Sequence, residues 1–205
     1  MKPMSSSDRL PVIVIGAGGH AAVVVSSLLR LDTQIVGATT LPEDKEIQDL
    51  GVPLIGGDEE IERMRPDEII LVNGIGMTRA SHSARHNVAR RMRMLGFRFR
   101  SVIDPTAVVA PNVEISEGVQ VMAGAILQPR VVIGRDTIVN TGTRIDHDCH
   151  IGRDCHICPG VTLAGEVNIG DGSMVGSGAI ATPGVSIQEN SMIKAGSLIT
   201  LGSSQ

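Results

Sequence analysis

The densest group of side chains suited to acid–base chemistry is the run from Asp146 to His150, which reads Asp-His-Asp-Cys-His. An imidazole titrates near pH 6.5, and a neighbouring carboxylate can fix its tautomer and stabilise the imidazolium that forms. His147 followed by Asp148 is therefore a candidate general base with its orienting acid. The run is equally compatible with a solvated surface histidine.

Histidines and cysteines also raise the question of a metal site. Two histidine pairs, His147/His150 and His82/His86, have spacings found in zinc sites. Three cysteines could supply further ligands: Cys149, Cys155 and Cys158. Cys149 and Cys155, however, stand at repeat positions where small buried side chains are expected. We therefore expect no metal site and no cysteine nucleophile, and no activated-serine motif occurs.

A six-residue repeat dominates the second half of the chain. Residues 101–202 divide into seventeen units without an insertion, and the third position of sixteen units is Ile, Val or Leu, with Ala181 as the exception. A strand period of 2 or a helical period of 3.6 cannot keep this register. The repeat predicts a parallel β-helix in which three units form one three-sided coil and the third-position side chains face the axis. Glycines at fourth or sixth positions are predicted to supply the corner conformations: Gly134, Gly152, Gly170 and Gly178.

This coil geometry relates other residues to His147. Gly165 follows it by eighteen residues, one full coil, so its N–H lies where it could stabilise an oxyanion. His156 follows by nine residues, half a coil, and falls on another face, from which it could meet His147 of a neighbouring prism. Alternatively, His156 is a packed or exposed surface residue.

The first half reads as strands alternating with helices, which predicts a small Rossmann-like parallel sheet. The predicted strands are Pro11–Ile15, Gln34–Ala38, a short Pro53–Ile55 and Glu68–Asn73, and the predicted helices run from Ala22 to Leu31 and from Thr78 to Leu95, with Gly96 ending the second.

The loop after the first strand contains Gly16, Gly18, Gly19 and His20, and it matches G-x-G-x-x-G/A with Ala21 last. Amides at a helix start can hold a phosphate, although a tight turn without a ligand would read the same. The end of the second strand reads Thr39-Thr40 where an NAD site requires an acid. The sequence therefore disfavours the binding of a dinucleotide, whereas it is compatible with the binding of a nucleotide-linked substrate.

Composition narrows the function classes. The chain of 205 residues has a net charge of −4, two phenylalanines and no Trp or Tyr, so stacking on nucleic acid is not expected. No apolar run reaches the ~20 residues of a membrane span, and no signal peptide is recognisable. An odd number of cysteines fits a reducing compartment. These features predict a soluble cytoplasmic protein. The pattern of strands, helices and repeats divides it into a flexible start (1–10), a Rossmann-like domain (11–100) and a β-helix domain (101–202).

The two halves together resemble one family. A G-A-G-G-H loop in a short Rossmann-like unit, joined to hexapeptide repeats that contain N-T-G-x-x-x-D-H-D (Asn140–Asp148), is similar to the NeuD/PglD group of bacterial sugar acetyltransferases over residues 11–202. The resemblance implies a left-handed β-helix, a homotrimer with active sites between neighbouring helices, and acetyl-CoA as the acetyl donor.

The resemblance also implies roles for individual residues. It makes His147 the catalytic base and Asp148 its acid. It puts His156 and Gly165 near the thioester and makes Asn140 an acceptor contact. It assigns to the nucleotide-sugar pocket Gly16, Gly18, Gly19 and His20. The chain departs from the family pattern at Thr39 and Thr40, where members that read UDP carry an acid, and in its last residues, so we expect the cap of the last coil to differ.

The expected reaction is N-acetylation of the amino group of a nucleotide-linked 4-amino deoxysugar by direct attack on acetyl-CoA. One alternative is O-acetylation of a sialic acid or related sugar. Alternatives from other classes are a zinc-dependent, carbonic-anhydrase-like β-helix and a non-catalytic trimeric scaffold.

Overall fold

The computed structural model describes residues 10–40, 47–77 and 82–202. The chain forms two compact units, Met1–Arg100 and Ser101–Gln205. The flexible start expected for residues 1–10 concerns positions that, up to residue 9, lie outside the described residues. No helix in the described part of the chain is long and apolar enough to cross a membrane.

The first unit is built on a three-stranded parallel sheet in the order β2-β1-β3. All four residues of β1 are buried, as is usual for the central strand of a parallel sheet. The strands are β1 (Val12–Ile15), β2 (Ile35–Ala38) and β3 (Ile70–Asn73), and the helices are α1 (Gly19–Arg30), α2 (Glu59–Glu62) and α3 (His82–Met94), with a 3-10 helix at Gln48–Leu50.

Three details of this unit differ from the sequence prediction. Helix α1 begins at Gly19 rather than at Ala22, so it starts inside the glycine loop. The predicted strand Pro53–Ile55 is reduced to a single parallel bridge between Leu54 and Ala38. The predicted helix start at Thr78 lies outside the described residues, whereas its end is confirmed by Gly96, which has φ +92°.

The second unit is a parallel β-helix of two-residue strands, one per six-residue unit. Each strand pairs with the strand eighteen residues later, as Ile138 pairs with His156. The strands are β4–β20 in chain order: Val102–Ile103, Val108–Val109, Glu114–Ile115, Gln120–Val121, Ile126–Leu127, Val132–Ile133, Ile138–Val139, Arg144–Ile145, His150–Ile151, His156–Ile157, Thr162–Leu163, Asn168–Ile169, Met174–Val175, Ile180–Ala181, Ser186–Ile187, Met192–Ile193 and Leu198–Ile199.

These strands form three sheets. The first sheet contains β4, β7, β10, β13, β16 and β19, the second contains β5, β8, β11, β14, β17 and β20, and the third contains β6, β9, β12, β15 and β18. Side chains from the first and third positions of the units fill one continuous core, which includes Ala181. The predicted three-sided coil is confirmed.

The corner residues explain where the repeat uses glycine. Sixteen of the seventeen sixth positions have a φ between 53° and 87°, the left-handed region that glycine adopts without strain. Of the four predicted corner glycines, Gly178 is confirmed, with φ +67°. The prediction was wrong for Gly134, Gly152 and Gly170, which lie at fourth positions outside this region. They are small for another reason, since a Cβ on Gly134 would lie 2.5 Å from the carbonyl carbon of Gly152 in the next coil.

Candidate functional site

His147 and Asp148 lie at the turn between β11 and β12, which we call the His147 corner (residues 146–149). The repeat places them at the fifth and sixth positions of their unit, and Asp148 has the left-handed φ of a sixth position, +60°. Nδ1 of His147 lies 2.7 Å from Oδ2 of Asp148, and the imidazole is half-exposed. The two side chains that the sequence analysis singled out as a candidate base and its orienting acid are thus within hydrogen-bond distance of each other.

Arg130 completes the corner from the coil before. Its Nε donates to Oδ1 of Asp148 at 2.6 Å, and its Nη2 donates to Oδ2 at 2.7 Å. The guanidinium and, to a smaller extent, His147 hold the pKa of the Asp148 carboxyl well below its usual range. An ionised carboxylate only accepts hydrogen bonds, so Nδ1 of His147 is the donor in this contact, and in the neutral imidazole the free lone pair is on Nε2. Sequence reasoning missed Arg130, although the eighteen-residue spacing that pointed to Gly165 also leads back to it.

Gly165 lies against the ring of His147 from the coil after. A Cβ built on Gly165 would be 2.8 Å from Cε1 and 2.9 Å from Nε2 of the imidazole. Fifth-position amides have no place in the strand ladder. The N–H of His147 is bound by Oδ1 of Asp146 at 2.7 Å, and that of Thr141 by Oδ1 of Asn140 at 2.8 Å. Within the described residues the Gly165 N–H has no acceptor, because the fourth position before it is an alanine. A donor is therefore open next to Nε2 of His147.

Asn140 and His156 form a second contact, away from the His147 corner. His156 belongs to β13 on the first sheet and is 8% exposed. Nδ2 of Asn140 lies 3.0 Å from Nε2 of His156, while Oδ1 of Asn140 accepts from Thr141. Because the amide group of Asn140 is the donor in this contact, Nε2 of His156 is its acceptor. Within one chain, the predicted site residues of the second unit thus fall into two groups on different faces of the β-helix.

The three cysteines are free thiols in the core. Burial raises the pKa of each of the Cys149, Cys155 and Cys158 thiols to about 11, so none is poised as a nucleophile. Among the described residues, no group of three or more His, Cys, Asp and Glu side chains is arranged to hold a metal ion. The side chain of His82, one of the ligands considered above, lies outside the described residues.

In the first unit, the glycine loop lies at the carboxyl end of the central strand. The order β2-β1-β3 places a topological switch point beside β1, where open α/β sheets bind ligands. The loop after β3 closes in on the same place: a Cβ on Gly76 would lie 3.1 Å from Cβ of His20, and one on Gly74 would lie 2.8 Å from the Ile15 carbonyl oxygen. Sequence analysis missed Gly74 and Gly76, whose signal is their place directly after a buried strand.

Thr39 links the glycine loop to an acid. Its Oγ1 accepts a hydrogen bond from the Gly16 N–H at 3.0 Å and donates one to Oδ1 of Asp58 at 2.7 Å. An acid, Asp58, thus lies beside the end of β2 although it stands nineteen residues later in the chain.

Comparison with known proteins identifies both halves. A family profile for the PglD N-terminal domain matches residues 11–92, and one for bacterial transferase hexapeptide repeats matches residues 130–165. No curated protein sequence matches the chain.

Solved structures match over nearly the whole length. The chain is 36% identical to PerB from Caulobacter crescentus, solved with CoA and GDP-perosamine, over 92% of this chain and 88% of that one, with a TM-score of 0.83. A variant of the perosamine N-acetyltransferase of the same organism, with one histidine replaced by asparagine, gives 35% identity over the same shares and a TM-score of 0.84. The acetyltransferase domain of PglB from Neisseria gonorrhoeae, solved with acetyl-CoA, is 30% identical over 95% of this chain and 94% of that one, with a TM-score of 0.82.

Proposed function

Because the chain belongs to the NeuD/PglD-like family of hexapeptide-repeat sugar acetyltransferases, we propose that it N-acetylates a nucleotide-linked 4-amino deoxysugar. The chain is an acyltransferase with a left-handed β-helix, and acetyl-CoA is its co-substrate. The observation that carries the proposal is the His147–Asp148 pair, with a free lone pair on Nε2 next to the open amide of Gly165.

The proposed mechanism is a direct attack of the sugar amine on the thioester. His147 Nε2 takes a proton from the amine as its nitrogen bonds to the carbonyl carbon, and Asp148 stabilises the imidazolium through Nδ1. The Gly165 N–H donates to the oxyanion. When the tetrahedral intermediate collapses, the C–S bond breaks, and the CoA sulfur leaves with the proton held by His147. No acyl-enzyme is formed, which agrees with the burial of all three cysteines.

The nucleotide belongs to the first unit in this proposal. The amides of Gly16, Gly18 and Gly19 at the start of α1 would hold the diphosphate, with His20 beside it. Asn140 contacts the acceptor sugar, and His156 lies near the thioester. A GDP-linked sugar is the first acceptor to test, because PerB was solved with one.

The two groups of site residues lie on different faces of one β-helix, so we propose a homotrimer in which each active site uses neighbouring protomers. The free thiols and the co-substrate are consistent with action in the cytoplasm. The mass of the protein in solution tests the assembly, and a monomer that is fully active would contradict it.

The reaction itself is tested with acetyl-CoA and a panel of GDP-, UDP- and dTDP-linked 4-amino deoxysugars, by following thiol release and the mass of the product. We expect one acetyl group on the amine of at least one nucleotide sugar. Acetylation of a hydroxyl group of sialic acid instead, or no binding of acetyl-CoA in calorimetry, would contradict the proposal.

Replacing His147 by Ala tests the base. A positioned general base contributes roughly 10²–10⁴-fold to rate, so we expect kcat to fall by that factor while the protein keeps its melting temperature. His150→Ala is the matched control, since His150 is an exposed histidine on the same coil whose Nδ1 faces the backbone oxygen of Asp148 rather than its carboxylate. Equal turnover of His147→Ala and the wild type would remove the base assignment.

A further inference from the structure

We propose that Arg130 is a positioning residue for the base, which acts by fixing the carboxylate of Asp148 and by offsetting its charge. The inference rests on the proposed function, because it concerns the same imidazole. Arg130 touches no reacting atom in this proposal. It acts through Asp148 on the orientation and the protonation of His147.

The geometry of the contact fixes the carboxylate in a single plane. Nε and Nη2 of Arg130 each bind one oxygen of Asp148, at 2.6 and 2.7 Å, which is the paired arrangement that guanidinium groups make with carboxylates. Oδ2 of Asp148 is shared, since Nδ1 of His147 binds it at 2.7 Å. Because Arg130 holds the carboxylate, the position of Oδ2 is fixed. The hydrogen bond between Nδ1 and Oδ2 then fixes the orientation of the imidazole and the direction in which its Nε2 points.

The backbone shows that stability does not account for an arginine here. Arg130 occupies a sixth position with φ +64°, where nine of the other fifteen left-handed corner residues are glycine and six are Asn, Asp or Glu. A left-handed conformation costs a branched or long side chain about 1 kcal/mol. The Arg130 side chain is 62% exposed, and an exposed ion pair contributes only ~0–1 kcal/mol. The ion pair at most offsets the cost of the backbone conformation, so stability does not explain the arginine at this position.

The charges at the His147 corner indicate what Arg130 contributes instead. The titratable residues in hydrogen-bond contact with the His147 corner are Asp146 and Asp148 on its own coil, Arg130 on the coil before, Glu166 on the coil after, through its backbone N–H, and His150 in β12. Three of these are acids, which favour the imidazolium, and a protonated imidazole cannot accept the proton of the amine. Arg130 is the permanent cation in this group. It keeps Asp148 ionised for orientation while reducing the negative potential at the imidazole ring.

The decisive variant is Arg130→Gly, because glycine is favoured at φ +64° and the protein should melt no lower than the wild type. We expect kcat to fall roughly 10–100-fold, since loss of orientation at this level costs up to about 10²-fold. We also expect the acid limb of the kcat/KM profile, and the midpoint of the His147 imidazole titration followed by NMR, to move to higher pH by about half a unit. One charge several ångströms away has an effect of that size at an exposed site.

Two further variants separate charge from geometry. Arg130→Lys keeps the cation but not the paired contact, so it should restore the titration midpoint and only part of kcat. Arg153→Gln is the control, since Arg153 also pairs with an aspartate eighteen residues later: its Nε and Nη2 both donate to Oδ2 of Asp171, at 3.0 and 2.7 Å, in a contact that does not involve His147. It should change neither the profile nor kcat.

Wild-type kcat together with an unmoved titration midpoint in Arg130→Gly would overturn the inference while leaving the base assignment intact. Activity retained in His147→Ala would overturn the base assignment instead. In that case the NMR midpoint in Arg130→Gly still decides whether Arg130 controls the protonation of His147.

Discussion

At the His147 corner, a single hydrogen atom in place of a side chain decides how closely the imidazole approaches the next coil. Gly165 is at a fifth position without a left-handed φ, so its backbone conformation does not require glycine. What requires it is the ring, whose Cε1 and Nε2 would lie 2.8 and 2.9 Å from a Cβ. A side chain at position 165 would therefore collide with the imidazole, and glycine is needed for the observed position of the base next to this amide.

Gly165→Ala should accordingly displace the imidazole rather than unfold the coil. We expect a kcat lower by about 10²-fold, the usual result of a misplacement near 1 Å, with little change in melting temperature. Gly178→Ala gives the opposite pattern, because Gly178 has open space around it but φ +67°. It should lose about 1 kcal/mol of stability and keep its activity. Normal kcat in Gly165→Ala would show that the ring does not work from the observed position.

At the scale of secondary-structure elements, the sequence predicts local interactions well and interactions between distant segments poorly. The six-residue register was predicted throughout because every unit repeats the same inward side chain and the same corner. The strand predicted at Pro53–Ile55 failed because Gly56 turns the chain away with φ +105° after one bridge. The Arg130–Asp148 contact was missed because it depends on two left-handed corners stacked one coil apart, and the apolar pattern carries no signal for a backbone of this kind.

The Thr39 contact is also beyond local reasoning, because it joins three segments of the first unit. The loop after β1 supplies the Gly16 N–H, the end of β2 supplies the hydroxyl, and the segment before α2 supplies the Asp58 carboxylate. Thr39 is 1% exposed, so the loop that is proposed to hold the diphosphate depends on a buried hydroxyl.

Thr39→Val should destabilise the protein by about 1–3 kcal/mol, the usual result of leaving a buried partner without its hydrogen bond. Urea denaturation measures this change, and weaker binding of the nucleotide should accompany it if the loop is the phosphate site. Thr33→Val is the matched control, since the buried Oγ1 of Thr33 has no partner among the described residues. That substitution should be neutral or stabilising, and equal effects of the two would contradict the role of the Thr39 contact.

On the scale of the whole molecule, the second unit behaves as a one-dimensional stack, because each coil pairs only with the coils next to it. Inward-facing third-position side chains near the two ends of the stack, such as Ile103 and Ile193, are only partly buried, whereas those of the middle coils are buried. Local opening should therefore begin at an end and reach the middle only on full unfolding. Three thiols mark the middle of the stack, since Cys149, Cys155 and Cys158 lie within consecutive units of the central coils.

These thiols should consequently report unfolding of the whole stack. All three thiols are buried in the core, and burial raises their pKa values to about 11, so an aromatic disulfide reagent should label none of them in the native protein within minutes. In denaturant all three should react together, with a midpoint equal to that of the loss of β-structure. Leu201→Cys provides the control, because a thiol on the exposed last turn should react at once without denaturant. Rapid labelling of one native cysteine in the wild type would mean that the central coils open independently of the ends.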